Sequence, residues 1–463
     1  MRKSIIATST AALILSMLPH SADAALVGKK CSKRGIERVV GSTKLVCSGK
    51  NRLTWKRVPI KVSPTPTPTP TSAASDASSQ NGSELNLPVE TSLETLLPSG
   101  ECKIGIPSTP GLEYQNFGFP RSSELLPSSG EISVLVINVD FQDFPAKVSP
   151  QENTAPFVKP FEDYWKEVSR GKLKFKVETF SNWISLPKTA YEYAGPEPHF
   201  NIDKYAQEVL DRADPQVDFG KFGVVAIIPT SDVRNFIKGG PVLASAKFDK
   251  YRTQEGPVFN LTVAGEPDVP MGGVKWLWLA HEVGHMLGLS HPHQYEGNVV
   301  ERMSIFSLMD SGFVAPGLYG LERWRMGWIE ESEIRCVGLA QANKSKVFRL
   351  RPLGSESGAQ LLVLLINSHE AVFIENRRAT EFDKLTSAYE GISVYFVNSR
   401  LADGAITPLL PDKYLIDYSK PEYNGTRVVG TLKLNQIVNF GKINIKVVAE
   451  SEKDYFVQIS EER

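Results

Sequence analysis

The eleven residues from His281 to His291 constrain this chain more than any other part of its sequence. They read H-E-x-x-H-x-x-G-x-x-H and include His281, Glu282, His285, Gly288 and His291. Histidines four residues apart project from one face of a helix, so both imidazoles can bind one metal ion. A glycine adopts positive φ at little cost, so Gly288 lets the backbone leave the helix and turn back. The motif therefore predicts a metal site at the end of a helix.

Three histidines complete the ligand set that this spacing predicts. His281 and His285 are the first two ligands, and the turn brings His291 to the ion as the third. His293 is the weaker alternative, because its spacing does not fit the turn and the proline before it limits adjustment. Three protein ligands leave one position open, as in catalytic Zn²⁺ sites. Glu282 follows the first ligand and suits a general base that acts on water.

The motif is also the signature of the metzincin clan of zinc endopeptidases, which this chain resembles. Other stretches are similar to the immune inhibitor A type of secreted bacterial metzincin, and with the motif they cover roughly residues 130–400. They are 134–145, 164–173, 307–312, 321–329 and a last group made of 373–378, 382–383 and 391–395. That type usually has Asp at the position of His291, whereas His is the commoner metzincin ligand.

The resemblance implies a methionine turn beneath the metal. Met309 is the candidate for this methionine, and Met303 is the alternative. In some metzincins a tyrosine two residues beyond the methionine stabilises the oxyanion. Here Ser311 occupies that position, which leaves the role open, with Tyr319 and Tyr295 as nearby candidates.

Zn²⁺ is the one cofactor that the sequence predicts. Ca²⁺ would suit a secreted protease, yet no loop of oxygen ligands for it is legible in the sequence. Glu375 and Asp383 lie in one of the resembled stretches, and we assign them no catalytic role.

The first 24 residues have the features of a secretory signal peptide. Arg2 and Lys3 precede an apolar stretch from 5 to 18, and an A-x-A cleavage site follows at 22–24. The apolar stretch is short for a membrane span, and no later stretch reaches that length. We therefore expect a secreted, extracellular protein, with a retained N-terminal anchor as the alternative.

A small basic module and a linker follow in the sequence. Residues 25–62 hold eleven Lys or Arg and one Glu, and Cys31 and Cys47 are placed to staple the module with a disulfide. This module either contacts cell-wall polymer or anionic polysaccharide, or is a solvated appendage without a ligand. Residues 63–100 are rich in Pro, Thr and Ser and predict a disordered linker, extended where Pro and Thr alternate.

The rest of the chain predicts an α+β fold in two domains. Residues 101–334 form the metzincin-type catalytic domain, with a central mixed sheet and the active-site helix. Of these, 101–130 are either the end of a propeptide or the entry to the domain. Cys102 either pairs with Cys336, which leaves all four cysteines paired, or binds the open metal position as a propeptide cysteine does in some metzincins. Residues 335–463 form a β-rich, sandwich-like domain.

Hydrophobic periodicity predicts the elements of both domains. The expected helices are 157–170, 201–213 and 276–287, and the expected strands of the catalytic domain are 132–141, 172–179 and 222–229. The expected strands of the C-terminal domain are 346–350, 360–366, 371–375, 392–397, 427–432, 443–448 and 455–459.

These features favour a secreted zinc endopeptidase that acts on protein or peptide substrates. Zn²⁺ and Glu282 would direct water at the peptide bond. A formal net charge of zero gives no indication of a nucleic-acid partner. The alternatives are a surface- or wall-associated binding protein with an idle metal site, and a zinc hydrolase of wall peptides or glycopeptides.

Overall fold

The structure is a computed structural model that describes most of the chain after residue 86. The described residues are 37–40, 43–48, 54–58, 87–106, 115–194, 201–234, 236, 250–265, 275–292, 306–309, 316–383, 385, 389–401, 404–409 and 430–462. The chain forms two compact units, Met1–Leu85 and Asn86–Arg463. The predicted signal peptide and Cys31 lie outside the described residues, so both the signal and the Cys31–Cys47 pairing stay predictions.

The first unit contains a three-stranded antiparallel sheet. Its strands are β1 (Glu37–Val40), β2 (Thr43–Ser48) and β3 (Thr54–Val58), in the order β1-β2-β3. Two consecutive hairpins therefore build the backbone of the basic module.

A parallel sheet forms the first part of the second unit. The strands up to residue 265 are β4 (Gly130–Asp140), β5 (Leu173–Thr179), β6 (Ile184–Ser185), β7 (Val224–Pro229), β8 (Tyr251–Thr253), β9 (Gly256–Val258) and β10 (Leu261–Val263). The sheet order is β10-β7-β4-β5, with β6 beside β4, and β8 pairs with β9 separately. Every described pair of this sheet is parallel, whereas we expected a mixed sheet. The apolar runs of β4 and β7 are buried, as central parallel strands are.

One of the α-helices among the described residues carries the metal-binding motif that the sequence predicts. These helices are α1 (Pro150–Val168), α2 (Ala190–Ala194), α3 (Ile202–Ala213), α4 (Lys275–Met286) and α5 (Gly320–Arg325). The three predicted helices are confirmed, and α1 begins seven residues earlier than predicted because Ser149 and Glu152 form a capping box ahead of Phe157. α1 packs against α4, where the rings of Tyr164 and Trp276 lie 5.2 Å apart.

Two further sheets make up the C-terminal part. Their strands are β11 (Ile334–Gly338), β12 (Lys346–Leu350), β13 (Leu361–Asn367), β14 (Glu370–Arg377), β15 (Gly391–Asn398), β16 (Ile406–Pro408), β17 (Ile437–Phe440), β18 (Ile443–Ser451) and β19 (Asp454–Glu461). The sheet orders are β11-β13-β14-β15-β16 and β12-β19-β18-β17, and only the β11–β13 pair among these described strands is parallel. Side chains from both sheets share one hydrophobic core.

Six of the seven strands predicted after residue 335 are present. The seventh, 427–432, lies partly outside the described residues, and its Leu432 forms an isolated bridge with Ile392. The sequence missed β11, β16 and β17, which have at most five residues each. As a whole the fold is α+β and mostly β, as predicted.

Residues 87–100 are ordered, although the sequence placed them in a disordered linker. The Thr91 N–H donates to Val347 O at 2.9 Å, and Leu97 forms a bridge with Cys336. We call residues 87–98 the strap. Backbone hydrogen bonds to the edges of two sheets order the strap. Its polar composition alone predicts disorder.

A disulfide joins Cys102 to Cys336, with the two Cα atoms 5.8 Å apart. This confirms the preferred pairing. A cysteine held in this bond is not a thiolate that reaches the histidines. Both cysteines are buried in a core that Ile104 and Phe117 share with the C-terminal strands.

None of the helices in the described part of the chain has the length and apolarity needed to cross a membrane.

Candidate metal centre

α4 ends where the sequence predicts, at a left-handed glycine. Gly288 has φ +88°, and its N–H donates to His285 O at 2.8 Å. The Leu289 N–H turns back to Gly284 O at 2.9 Å, which closes the helix. The chain then reverses and brings His291 alongside α4.

The three predicted histidines meet in the structure. Their ring centroids lie 4.8 Å (His281–His285), 5.3 Å (His281–His291) and 4.6 Å (His285–His291) apart. One ligand atom from each ring lies within 4.8 Å of the others. The alternative ligand, His293, lies outside the described residues.

Backbone carbonyls orient two of the rings. Nδ1 of His281 lies 3.0 Å from Leu308 O, and Nδ1 of His285 lies 2.8 Å from Leu289 O. A carbonyl oxygen only accepts hydrogen bonds, so Nδ1 carries the hydrogen on both rings and Nε2 keeps its lone pair. A hydrogen bond from Nδ1–H to a backbone carbonyl commonly orients a histidine whose Nε2 binds a metal.

The Nε2 atoms of His281 and His291 stand 3.3 Å apart. Two nitrogens bound tetrahedrally to one Zn²⁺ at about 2.0–2.1 Å would stand about 3.3–3.4 Å apart. The observed separation therefore fits two ligands of one ion.

Burial keeps the imidazoles of His281 and His285 neutral. Burial, and then the charge of His291, lower the pKa of His281 to about 4, against the opposing effect of the bond to Leu308. Burial also lowers the pKa of His285 well below its ordinary value. At neutral pH both rings are uncharged, which is the form that binds a metal.

Glu282 is buried beside the first ligand, with 6% of its surface exposed. It follows His281 directly on α4, so its side chain leaves the helix about 100° further round. The group of three imidazoles that could hold a metal does not include the Glu282 carboxylate.

Met309 lies directly against the motif helix. It is fully buried, and a methyl group placed on Gly284 would lie 2.6 Å from its Sδ atom. The second variable position of the motif is therefore a glycine for a steric reason. Met303, the alternative, lies outside the described residues, as do Ser311 and Tyr295.

A buried carboxylate that the sequence analysis missed supports the Met309 segment. The Met309 N–H donates to Ser307 Oγ at 3.1 Å, and the Ser307 hydroxyl donates to Glu322 at 3.0 Å. Glu322 also accepts the Tyr319 N–H at 2.7 Å. Burial raises the pKa of Glu322 to about 8, despite these hydrogen bonds. The sequence signal for Glu322 was its position as the third residue of α5. A glutamate there can accept the N–H of the residue that precedes the helix.

Tyr319 is buried in the core of the C-terminal strands, where its ring centroid lies 4.6 Å from that of Tyr395. Its backbone N–H caps α5 through Glu322. The structure thus gives Tyr319 a place in the core, and the identity of an oxyanion donor stays open.

Glu375 and Asp383 form a buried ion-pair network with Arg377. Nη1 of Arg377 lies 3.2 Å from Glu375, and Nη2 lies 2.9 Å from Asp383. The two carboxylates in turn accept the backbone N–H groups of Gly320 and Gly317. These residues hold Gly317 and Gly320 at the entry to α5, which is a structural role.

Neither the protein-family models nor the curated proteins match this chain. The chemistry of the site therefore follows from its own side chains.

Proposed function

We propose that this chain is a secreted zinc-dependent endopeptidase of the metzincin type, resembling the immune inhibitor A family. One observation carries the proposal: the Nε2 atoms of His281 and His291 stand 3.3 Å apart, and His285 completes the cluster. Three imidazoles that each bring a ring nitrogen within 4.8 Å of the others are a donor set that suits Zn²⁺.

The chain's own residues would divide the reaction between them. A bound Zn²⁺ supplies Lewis acidity, which polarises a carbonyl and lowers the pKa of water. Glu282 takes a proton from the attacking water on its carboxylate and delivers it to the nitrogen of the leaving amine. The bond from His281 Nδ1 to Leu308 O holds the ring in the required tautomer throughout.

The proposal extends to the fold of the second unit, as a metzincin-type catalytic domain followed by a β-sandwich. A parallel sheet, the helix α4 and Met309 packed beneath Gly284 agree with a metzincin-type catalytic domain. The two C-terminal sheets with their shared core agree with a sandwich. The buried Cys102–Cys336 disulfide suits the oxidising surroundings of a secreted protein.

The proposal is tested by proteolysis of unfolded casein by the zinc-loaded full-length chain. We expect cleavage that a zinc chelator abolishes and added Zn²⁺ restores. Glu282→Gln should lower the rate by about 10²–10⁴-fold, because a general base is lost. Its zinc content should stay unchanged. Glu208→Gln, which removes a carboxylate of the exposed Arg212 pair on α3, serves as the matched control.

Two outcomes would speak against the proposal. Full activity in Glu282→Gln would exclude the assigned base. Folded, zinc-loaded protein that cleaves wall peptides and leaves casein intact would favour the alternative, a hydrolase of wall peptides.

A further inference from the structure

The third histidine of the cluster lies beyond the helix that carries the other two. His281 and His285 belong to α4, which ends at Met286, whereas His291 follows the turn at Gly288. The backbone hydrogen bonds of α4 fix the first two histidines relative to each other. His291 is outside this pattern, so its position depends on the contacts of the turn and of the segment after it.

The C-terminal part of the chain holds this segment through its backbone. The Gly404 N–H donates to His291 O at 3.1 Å, and the Ile406 N–H donates to Pro292 O at 3.2 Å. Ile406 is the first residue of β16, which is the last strand in the sheet order β11-β13-β14-β15-β16. Two consecutive carbonyl groups, at and after the third histidine, therefore accept hydrogen bonds from the edge of this sheet.

The pairing of β16 explains why the Ile406 N–H points out of the sheet. Ile406 lies opposite Val397, and the Asn398 N–H donates to Ala405 O at 2.9 Å. In an antiparallel pair, residues that exchange hydrogen bonds alternate with residues whose backbone groups point away from the partner strand. Asn398 and Ala405 are hydrogen-bonded, so Ile406 has the alternate position and its N–H faces away from β15.

β16 is firmly anchored where it meets the histidine segment. Ala405 and Ile406 are 1% and 3% exposed and belong to the core of the C-terminal strands. Gly404 has φ +72°, a left-handed conformation that glycine adopts at little cost. Because the core fixes β16, its N–H groups have little freedom, and neither have the carbonyl groups that they bind.

We propose that Gly404 and Ile406 are positioning residues of the metal centre, which hold His291 in place as the third ligand through its backbone. The inference rests on the proposed zinc site and gives the C-terminal part a role in it, because the edge of its sheet completes the ligand set. Contacts that orient a ligand contribute to metal affinity, so affinity for Zn²⁺ depends on these two hydrogen bonds.

The test removes one N–H group from β16 in the full-length chain. Ile406→Pro has no donor for Pro292 O, and proline is tolerated in an edge strand where the N–H faces away from the partner strand. Ile406→Ala is the matched control, because it also removes the buried side chain and keeps the N–H. In competition with a chromogenic chelator, Ile406→Pro should bind Zn²⁺ about 10–100-fold more weakly than Ile406→Ala.

Two further measurements separate positioning of His291 from a general loosening of the fold. With Co²⁺ in place of zinc, loss of one imidazole ligand admits water, so the visible absorption of the bound Co²⁺ should weaken in Ile406→Pro and persist in Ile406→Ala. In a His291→Ala background, Ile406→Pro should have no further effect on zinc affinity, because the ligand that it positions is already absent.

A second variant acts on the other hydrogen bond and does not require that Ile406→Pro folds. Gly404→Ala strains a left-handed residue and displaces the N–H that His291 O accepts, so zinc affinity should fall by about 10-fold or more. Gly441→Ala is its control, because Gly441 is also left-handed, at φ +57°, and lies between β17 and β18 of the other sheet. It should leave zinc affinity unchanged.

Three outcomes would contradict the inference. Equal zinc affinities of Ile406→Pro and Ile406→Ala would overturn it and leave the proposed protease intact. The same would follow if Ile406→Pro weakened zinc binding equally with and without His291. A wild-type chain that binds no Zn²⁺ would overturn the proposed function itself, and the inference with it.

Discussion

At the scale of residues, the pKa of His281 connects the histidine cluster to stability. An unfolded chain protonates this ring near pH 6.5, whereas burial holds its pKa in the folded protein at about 4. Below pH 6.5 the unfolded state takes up a proton that the folded state does not. Stability without metal should therefore fall as pH drops from 6.5 to 4, by at most ~3 kcal/mol from this residue.

Urea unfolding of chelator-treated protein between pH 7 and pH 4.5 measures this loss. His281→Gln should lessen the dependence, and the lowered pKa of His285 should keep part of it. Glu322 affects the free energy of unfolding in the opposite sense. Burial raises its pKa, so the stability that it contributes is present at pH 4.5 and is lost as the pH rises toward about 8. Equal slopes in wild type and His281→Gln would contradict the prediction.

Ser307 connects Glu322 to the Met309 segment, which contacts the helix of the histidine cluster. Ser307→Ala leaves the Met309 N–H without its acceptor and loosens the segment whose Leu308 carbonyl orients His281. Zinc affinity should fall by about 10–100-fold, as for other outer-shell changes. Competition with a chromogenic chelator measures it. Ser399→Ala, which also removes a buried hydroxyl, should lower stability without changing zinc affinity.

The residues of the cluster could be predicted, whereas their supports could not. His281, Glu282, His285 and His291 lie within one helix and one turn, so local spacing brings them together. The Leu308 carbonyl is 27 residues from His281 and belongs to the backbone, which carries no side-chain signal. Glu322 becomes important only because folding buries it.

At the scale of elements, the Arg377 network fixes the entry to α5. Arg377→Met would leave Glu375 and Asp383 as buried charges without their cation. Loss of one partner of such a buried group costs about 3–5 kcal/mol. Arg400→Met, which breaks an exposed pair with Glu370, should cost less than ~1 kcal/mol. Denaturant titration compares the two, and equal losses would show that the buried network does not stabilise this segment.

The periodic elements were also the predictable ones. Long apolar runs such as β4 can be recognised as strands from the sequence, because both faces of the strand are buried and therefore apolar. The five-residue strand β11 becomes a strand only by pairing with β13, a partner that appears more than twenty residues later in the chain. The start of α1 depends on a cap formed by Ser149. Hydrophobic periodicity carries no information on caps, so it predicted a later start.

At the scale of the whole molecule, the strap defines where the second unit begins. A chain that starts at Asn86 keeps the Thr91 bond to Val347 and the Cys102–Cys336 disulfide. A chain that starts at residue 103 loses both, and should unfold at least several degrees lower, because a disulfide closing so long a loop contributes about 2–5 kcal/mol. Thermal unfolding of the two chains measures the difference, and equal midpoints would contradict it.

The disulfide also decides what a cut in the chain would do. Cys102 and Cys336 are 234 residues apart, and the metal motif lies between them. Hydrolysis of any one peptide bond from 103 to 335 leaves the two fragments covalently joined. A molecule nicked there would keep its mass until a reductant was added. Only reducing conditions would then distinguish an intact molecule from one that has been cut, by itself or by another protease.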